Sequence, residues 1–396
     1  MRVAPDPNPL VPHLRTLGTT IFAEMSALAS STGAINLGQG FPDVDGPRSV
    51  AEAASRAILQ GRGNQYPPGP GIAELRHAVA RHQLSCYGLE LDPETEVLVT
   101  AGATEGLTAA ILALVDEDDE VVALEPWFDS YPAAVAMARG TLRGVRLQPP
   151  QFRLDEAALR AAITPRTRVL LLNSPHNPTG MVLNRDELAV IARLVAAHPR
   201  IVVVTDDVYE HLTFDAVHTA FATLPGMRER TLTVSSSGKT FSFTGWKIGW
   251  VTGPAELVSA ARSVKQYLTY VSGGPFQYAV AHALDHEMAW VDGLRASLRT
   301  RRDRLCQGLT EAGLDVVRPD GTYFVTTDVS SLGWNDDRDF CQALAGRAGV
   351  VAIPCSVFYD PSDPVRTLVR WTFTKREEVL DEAIKQLSAA DLTCRR

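Results

Sequence analysis

Short apolar runs alternate with helix-like segments from residue 95 onward, and this alternation constrains the fold more than any other feature of the chain. The runs are 96–100 (EVLVT), 120–126 (EVVALEP), 168–172 (RVLLL), 201–205 (IVVVT) and 231–234 (TLTV). Such strands, separated by helical stretches, are typical of a parallel sheet packed between helices. The pattern therefore predicts an α/β fold built on a mostly parallel sheet.

The remainder of the chain predicts a second, smaller unit. A length of 396 residues is enough for roughly two to three domain-sized cores. Residues 290–309 carry Arg and Leu at helical spacing, which predicts a long connecting helix. Three apolar runs beyond it predict strands of their own: 323–329 (YFVTTDV), 350–354 (VVAIP) and 367–373 (TLVRWTF).

Composition limits the compartment and the partners. A formal charge of −8 argues against nucleic acid or an anionic membrane as the main partner. The five cysteines have no CxxC spacing, which predicts a reducing compartment with neither a disulfide framework nor a zinc site. The first 18 residues are broken by prolines and lack a signal-peptide core, and no stretch reaches the roughly 18 apolar residues of a membrane span. We therefore expect a cytoplasmic protein.

The segment 231–250, TLTVSSSGKTFSFTGWKIGW, carries the clearest chemical pattern. Lys239 lies in a small-residue turn after a strand, and Lys247 follows in the next apolar run. The amine of Lys239 can form a Schiff base with an aldehyde, while the hydroxyls and the second cation could hold a phosphate. Pyridoxal 5′-phosphate (PLP) needs both. A solvated surface turn is one alternative; a nucleotide-binding P-loop is excluded, because its first glycine, five residues before Gly238, is replaced by Thr233.

Polar side chains follow two predicted strands at their carboxyl ends, where α/β folds bind ligands. The strand 168–172 leads into the turn NSPHNPTG, which contains Asn177, and the strand 201–205 leads to Asp206 and Tyr209. A buried acid at this position could keep a ring nitrogen protonated, while the phenol contacts a ring oxygen. The alternative for Asp206 is the N-cap of a helix.

Two other strand ends suggest contacts with a cofactor. The strand 96–100 is followed by a helix start at Ala103 and Thr104, whose free N–H groups favour a phosphate. The strand 120–126 is followed by Phe128, which could stack on a planar ring. Ordinary core packing is the alternative for this aromatic residue.

Three residues elsewhere could also serve a ligand site. Gly40 lies in GQGFPD, where glycine allows a backbone to approach a ligand closely. Tyr66 precedes a loop rich in Pro and Gly that could reach a neighbouring chain; an ordinary turn is the alternative for both. Arg370 lies within an apolar run, where it is costly unless it meets an anion, or else occupies a partly exposed edge.

Eight short segments carry a resemblance to a known enzyme family. In chain order they are GQGFPD (38–43), NQY (64–66), GAT (102–104), EPWFDSY (125–131), NSPHNPTG (173–180), DDVY (206–209), SSSGKTFSFTGWK (235–247) and VRWTF (369–373). Together they resemble the class I aminotransferases of PLP fold type I over nearly the whole chain. The kynurenine/methionine aminotransferase subgroup is most similar. The segments SPHNPTG, NQYPPGPG and GWKIGW look especially like the bacterial N-succinyldiaminopimelate aminotransferases of lysine biosynthesis.

The resemblance implies a role for each matching residue, with Lys239, Asp206 and Tyr209 as the catalytic ones. Around the PLP ring it implies Lys239 as the covalent attachment, Asp206 at the pyridine nitrogen, Asn177 and Tyr209 at the 3-oxygen, and Phe128 stacked on the ring. Around the phosphate it implies Ala103, Thr104, Ser236 and Lys247, with Tyr66 supplied by the second subunit of a homodimer. For the substrate carboxylate it implies Gly40, Asn177 and Arg370. Lys247 stands where many class members have arginine, but a lysine still neutralises phosphate as a point charge.

The resemblance also implies the domains and the reaction. It places an N-terminal arm with part of the small domain in 1–45, a large PLP-binding domain in 46–293 and the rest of the small domain in 294–396. The implied reaction is a ping-pong transfer of an amino group from an amino acid to a 2-oxo acid, with 2-oxoglutarate as the expected acceptor. The implied donor is N-succinyl-LL-diaminopimelate.

Other functions remain open at this point. A kynurenine, methionine or aromatic aminotransferase with cysteine-conjugate β-lyase side activity would use the same residues. A regulator would need a DNA-binding module for which the short N-terminus has no room, and an interaction protein would not need the complete set of catalytic residues. The resemblance implies that 20–28, the Tyr66 loop and 267–270 line the side-chain pocket. Arg15 or Lys265 is a possible cation for a distal carboxylate.

Overall fold

The computed structural model describes residues 9–15 and 17–394. Its strands are β1 Ile35–Asn36, β2 Val97–Thr100, β3 Glu120–Glu125, β4 Thr141–Arg146, β5 Thr167–Asn173, β6 Val202–Asp206, β7 Thr231–Ser236, β8 Gly249–Thr252, β9 Asp315–Val317, β10 Phe324–Asp328, β11 Val350–Val351, β12 Ile353–Pro354 and β13 Leu368–Thr372. Its α-helices are α1 Ile21–Thr32, α2 Arg48–Leu59, α3 Ala73–Tyr87, α4 Gly102–Leu114, α5 Ser130–Met137, α6 Glu156–Ala162, α7 Arg185–Ala196, α8 Ser237–Thr240, α9 Ala255–Lys265, α10 Gly274–His286, α11 Met288–Glu311, α12 Asp337–Ala348 and α13 Glu377–Ala389. The predicted N-terminal arm lies partly outside the described residues, and its described part contains a 3₁₀ turn at Pro12–Leu14.

A seven-stranded sheet with the order β2-β8-β7-β6-β5-β3-β4 organises the larger part of the chain. The strands β3 to β7 run parallel, whereas β8 is antiparallel to both β7 and β2. Successive residues of β3 alternate between two hydrophobic clusters: Val121 and Ala123 pack in one, and Val122 and Leu124 in the other. Because both faces of the central strands are buried, the middle residues of β3, β5 and β6 are apolar. The predicted mostly parallel α/β sheet is confirmed.

Each of the predicted apolar runs of the large sheet forms a strand. The boundaries differ from the predicted ones by at most two residues, which is the usual uncertainty at the ends of elements. One of these differences matters for the site, because Asp206 is the last residue of β6. No helix begins there, so the N-cap alternative for Asp206 is wrong.

A smaller antiparallel sheet with the order β12-β13-β10-β9 is built from the C-terminal part of the chain. Strand β1, from near the N-terminus, pairs in parallel with β11, with Ile35 opposite Val350. The long helix α11 precedes this sheet in the chain, as the sequence predicted. Both ends of the chain therefore contribute to this part of the fold, while the division at residues 45 and 293 stays a prediction.

Two structural observations relate to the expectations from composition. All five cysteines are free; Cys306, Cys341 and Cys355 are buried, and Cys86 is exposed. Within residues 9–15 and 17–394, no helix combines the length and the apolar character needed to cross a membrane.

Candidate active site

A cavity of about 330 Å³ lies at the carboxyl ends of β5, β6 and β7, the place where parallel α/β sheets bind ligands. The start of α4, the turn after β7 and part of β13 complete its wall. Of the residues predicted for the site, those that line this cavity are Gly40, Ala103, Thr104, Phe128, Asn177, Asp206, Tyr209, Ser236, Lys239, Lys247 and Arg370. Tyr66 lies elsewhere.

Lys239 lies in the one-turn helix α8 directly after β7 and lines the cavity, so the alternative of a solvated surface turn is wrong. Its Nζ donates hydrogen bonds to the hydroxyl of Tyr323, at 2.7 Å, and to the carbonyl of Gly40, at 3.4 Å. The hydroxyl of Tyr323 itself donates to that carbonyl. Sequence reasoning missed Tyr323, because a tyrosine at the start of an apolar run is ordinary in a strand. The need of a buried phenol for a partner was the available signal.

Asp206 is buried at the end of β6, with 4% of its surface exposed. Its Oδ2 accepts a hydrogen bond of 2.6 Å from the hydroxyl of Tyr131, whereas Oδ1 is buried without a partner. Burial, with a smaller contribution from Asp207, raises the pKa of Asp206 to about 6, because a carboxylate out of water is costly. The open Oδ1 is thus an acceptor that lacks a positively charged donor.

Tyr131 also supports the aromatic residue predicted to stack on the cofactor. Phe128 lines the cavity, and its ring meets that of Tyr131 edge-on, with centroids 5.9 Å apart. The side chain is half-buried. Phe128 therefore offers a ring face to a ligand, and simple core packing does not describe its position.

Asn173, the last residue of β5 and the first of the predicted turn NSPHNPTG, connects two residues with predicted roles. Its Nδ2 donates to the backbone carbonyl of Asp206, and its Oδ1 accepts from the backbone N–H of Asn177, both at 2.7 Å. Tyr209 lies in the turn that follows β6, and 3% of its surface is exposed. Burial, together with the neighbouring Tyr323, raises the pKa of its phenol well above the usual range. Its phenol is therefore protonated and can donate to a ligand oxygen.

The start of α4 forms an anion site with Lys247. Gly102 to Thr104 occupy the first turn of α4, where backbone N–H groups have no partner within the helix. A Cβ placed on Gly102 would lie 3.1 Å from Nζ of Lys247, so this cation is next to the helix start. Ser236, at the end of β7, lines the same cavity and is the pairing partner of Gly249 in β8. A phosphate is favoured here by the N–H groups, the helix dipole and the cation together.

The backbone of β8 approaches the start of α4 closely at Gly249. A Cβ on Gly249 would lie 2.7 Å from the carbonyl carbon of Gly102 and 2.8 Å from the nitrogen of Ala103. Only glycine therefore permits this contact. It places the strand that follows Lys247 directly against the predicted phosphate site.

Arg370 is buried in β13, with 1% of its surface exposed. Its Nη1 donates to Oδ1 of Asn177 at 2.9 Å and its Nη2 to the carbonyl of Gly38 at 3.1 Å, while Nε has no partner. The rings around the guanidinium belong to Phe22, Phe324 and Phe358, with centroids 5.1, 4.0 and 5.3 Å away.

Burial lowers the pKa of Arg370. Among the described residues, no carboxylate forms an ion pair with it. The edge-position alternative is wrong, because β13 has a partner strand on each side. A buried arginine with an unused donor calls for an anion from outside the chain.

Tyr66 is 83% exposed, and its only aromatic contact among the described residues is an edge-on one with Tyr270. Lys265 connects the two loops, because its Nζ donates to the carbonyls of Gly69 and Tyr270 at 3.2 and 2.6 Å. The amine of Lys265, which the sequence suggested as a possible cation for a distal substrate carboxylate, is therefore already hydrogen-bonded to two backbone carbonyls. The predicted contact of Tyr66 with a phosphate across a subunit interface stays a prediction.

Comparison with known proteins decides the family. The family model described as aminotransferase class I and II matches residues 32–387. The chain belongs to this family. It is therefore a PLP-dependent transaminase that acts on amino acids and 2-oxo acids, as the resemblance implied.

Individual relatives cover nearly the whole chain. A protein of Mycobacterium tuberculosis H37Rv named probable N-succinyldiaminopimelate aminotransferase DapC is 55% identical over 389 residues, covering 96% of this chain and 98% of that protein. The methionine aminotransferase of Escherichia coli K12 is 43% identical over 383 residues, covering 96% and 98%.

Solved structures agree with the relatives. The N-succinyldiaminopimelate aminotransferase of M. tuberculosis superposes with a TM-score of 0.94 at 56% identity, covering 96% of this chain and 99% of that one. The aspartate aminotransferase of Thermus thermophilus with maleate superposes with a TM-score of 0.89 at 35% identity, covering 96% of this chain and 99% of that one. The predicted fold class and family are confirmed.

The cavity fits PLP. The helix start with Lys247 suits the phosphate, and the open Oδ1 of Asp206 suits a protonated ring nitrogen. The amine of Lys239 and the ring of Phe128 line the same space, one as a nucleophile and the other as a stacking surface. The chain thus supplies a group for each part of the cofactor.

Proposed function

We propose that this aminotransferase transfers the amino group of N-succinyl-LL-diaminopimelate to 2-oxoglutarate, by a ping-pong mechanism, in lysine biosynthesis. The observation that carries the choice of donor is the 55% identity to the M. tuberculosis relative over almost the full length of both chains. The methionine aminotransferase is more distant, at 43%.

The cofactor contacts that we propose follow the arrangement of the cavity. Asp206 receives the protonated ring nitrogen on its open Oδ1, and Tyr209 and Asn177 take the ring 3-oxygen. Phe128 stacks on the ring. The phosphate contacts are Ala103, Thr104, Ser236 and Lys247.

The substrate contacts explain why a single bond reacts. When bound, PLP supplies the electron-withdrawing ring that makes a substrate Cα–H bond acidic. Arg370, supported by Asn177, would hold the α-carboxylate beside the backbone of Gly40 and so fix the orientation of the Cα–H bond within the cavity. Nζ of Lys239, once free, takes the proton from Cα. Tyr323 keeps that amine at the cavity wall through its 2.7 Å hydrogen bond.

A homodimer is part of this proposal. The support for it is the position of Tyr66, which is 83% exposed and lies beside the ring of Tyr270. The family pattern assigns Tyr66 a contact with the cofactor phosphate, but Tyr66 does not line the cavity of its own chain. We expect Tyr66 to reach the cavity of the partner subunit. Sedimentation equilibrium of the wild type should give twice the protomer mass, and a monomer with full activity would contradict the proposal.

The cytoplasm is the compartment that we propose. Its support is the state of the cysteines, all of which are free, with three of them buried. A reducing compartment keeps such thiols from pairing. Fractionation of the source cells should recover the activity with cytoplasmic markers; recovery with a membrane or secreted fraction would contradict it.

A second candidate function is a methionine, kynurenine or aromatic aminotransferase with β-lyase side activity. The observation that favours it is the apolar wall formed by Phe22, Phe41, Leu107, Ile248 and Phe324. The cations that line the cavity within the described chain are Lys239, Lys247 and Arg370, and each already has a role. The distal carboxylates of a succinylated donor would therefore need a cation from the partner subunit or the cavity rim.

A panel of amino donors with 2-oxoglutarate separates the two candidates. N-succinyl-LL-diaminopimelate, methionine and kynurenine are compared by kcat/KM on the purified holoenzyme. We expect the succinylated donor to exceed the others by at least about tenfold, which corresponds to about 1.4 kcal/mol. A higher kcat/KM for methionine or kynurenine would favour the second candidate. Release of pyruvate and ammonia from a cysteine conjugate without a 2-oxo acid would reveal β-lyase activity.

A further inference from the structure

Three possible metal ligands meet outside the cavity, between α3 and the segment that follows β6. His82 and Cys86 are four residues apart on α3 and so lie on one face of that helix. His211 follows the end of β6, on the same stretch as Asp206. The possible ligand atoms of the three residues lie within 4.8 Å of one another.

The two imidazoles meet through Nε2, at a separation of 2.8 Å and with ring planes 80° apart. In this arrangement one Nε2–H donates to the other. A tetrahedral zinc ion with Zn–N bonds of about 2.0–2.1 Å would hold the two nitrogens about 3.3 Å apart. A shift of about half an ångström would therefore convert the hydrogen bond into a shared coordination site, with Sγ of Cys86 as the third ligand.

Gln83 is placed to select the tautomer that binds a metal. Its side chain is 1% exposed, its Nε2 lies 3.4 Å from Nδ1 of His82, and its Oε1 has no partner. A half-turn of the amide brings Oε1 next to Nδ1, where it accepts a hydrogen bond from Nδ1–H. The lone pair of Nε2 then faces the cluster. A carbonyl at the far nitrogen is usual for metal-bound histidine.

The surroundings also suit a cation. The carboxylate of Glu210, next to His211 in the chain, is buried and accepts hydrogen bonds from Ser235 and Tyr87. The thiol of Cys86 would lose its proton to the solvent as the metal binds.

We propose that His82, Cys86 and His211 form a zinc site, with water at the fourth position. Two imidazoles and one thiolate are a donor set that suits Zn²⁺. The site would join α3 to the segment that carries Asp206 and Tyr209. No zinc site was predicted from the sequence, because the cysteines have no CxxC spacing. This set instead combines one cysteine with two histidines, the second of which lies far along the chain.

The proposal is tested by titrating zinc into the chelator-treated holoenzyme, in competition with a chromophoric zinc indicator. We expect one zinc per protomer. Cys86→Ser and His211→Gln should each weaken binding more than about tenfold, by analogy with the loss caused by changes around metal ligands. His286→Gln is the matched control. The rings of His286 and His282 on α10 have centroids 4.8 Å apart, but these residues do not belong to the His–Cys–His cluster. This variant should leave the zinc affinity unchanged.

X-ray absorption of the zinc-loaded wild type gives an independent reading. We expect one sulfur at about 2.3 Å and two nitrogens at about 2.0 Å. Three results would each overturn the proposal: no stoichiometric zinc in the wild type, equally tight zinc in Cys86→Ser and His211→Gln, or a first coordination shell without sulfur. The cofactor absorbance and thermal unfolding of each variant confirm that it is folded.

Discussion

Nζ of Lys239 donates a 2.7 Å hydrogen bond to the hydroxyl of Tyr323, which itself donates to the carbonyl of Gly40. This contact joins the proposed cofactor lysine to the backbone proposed to lie beside the substrate carboxylate. Tyr323 thus acts through Lys239, as a positioning residue. Its removal should affect the proton transfer more than the binding of substrate.

Tyr323→Phe removes the hydroxyl and keeps the ring. We expect kcat of the amino-transfer half-reaction to fall about tenfold with little change in KM, because a hydrogen bond to an amine that becomes charged as it takes the proton contributes about 1.5 kcal/mol. Stopped-flow absorbance of the holoenzyme measures the rate of this half-reaction at several donor concentrations. Tyr359→Phe is the matched control, since Tyr359 is as buried but its hydroxyl has no partner. An equal loss in both variants would contradict a positioning role.

Lys239→Ala removes the proposed attachment point of the cofactor. Turnover should fall to background, and the absorbance of the bound cofactor should change with it, because both depend on one amine. The exposed Lys385→Ala should leave both signals unchanged. Turnover at the wild-type rate in Lys239→Ala would show that another group performs the chemistry.

Arg370→Lys keeps the charge and removes the planar fork. We expect kcat/KM for amino donors and for 2-oxoglutarate to fall about a hundredfold, because a lysine does not bind a carboxylate in the bidentate manner. The cofactor absorbance should stay the same. The conservative Arg338→Lys, at an exposed position, should have no effect. Similar values in Arg370→Lys and the wild type would place the carboxylate elsewhere.

Asp206→Asn tests the raised pKa of Asp206 through the stability of the cofactor-free protein. Burial raises this pKa to about 6 from the ordinary 3.8, so between these values the folded state holds a proton that the unfolded chain has released. The contribution of Asp206 to the unfolding free energy therefore falls as pH rises through this window, by about 3 kcal/mol.

An asparagine does not titrate. We therefore expect the unfolding free energy of cofactor-free Asp206→Asn, measured with urea, to increase relative to that of the cofactor-free wild type as the pH rises from 4 to 7. A constant difference across this range would exclude the raised pKa. Asp337, whose pKa burial also raises to about 6, is present in both proteins and cancels in the comparison.

Gly249→Ala places a methyl group against the start of α4, 2.7 Å from the carbonyl carbon of Gly102. Backbone must move, so we expect a loss of about 1–3 kcal/mol in unfolding free energy and weaker binding of PLP. Gly293→Ala is the control, because a Cβ there, in α11, meets nothing within 4 Å. An unchanged PLP affinity in Gly249→Ala would show that the contact between Gly249 and the start of α4 does not shape the phosphate site.

Half of the residues that line the cavity could be predicted from the sequence, and several of them lie at the ends of apolar strands. Asp206, Ser236 and Asn177 all lie at or just after such an end. Once a parallel sheet is predicted, its carboxyl edge brings them together. Two residues without this positional signal were missed: Tyr131 on Oδ2 of Asp206, and Tyr323 on Lys239. Asn173 has the signal, as the last residue of β5, but its contacts with Asp206 and Asn177 depend on the packing of the neighbouring strand and turn.

The sequence by itself determined the mostly parallel sheet, the family and the set of groups that suit PLP, since periodicity and motif spacing are local properties of a chain. Only the tertiary structure decided that Arg370 is buried without a carboxylate partner, that Oδ1 of Asp206 is left open, and that His82 and His211 meet. These are contacts between segments far apart in the chain, and burial and pairing depend on the packed surroundings of both partners.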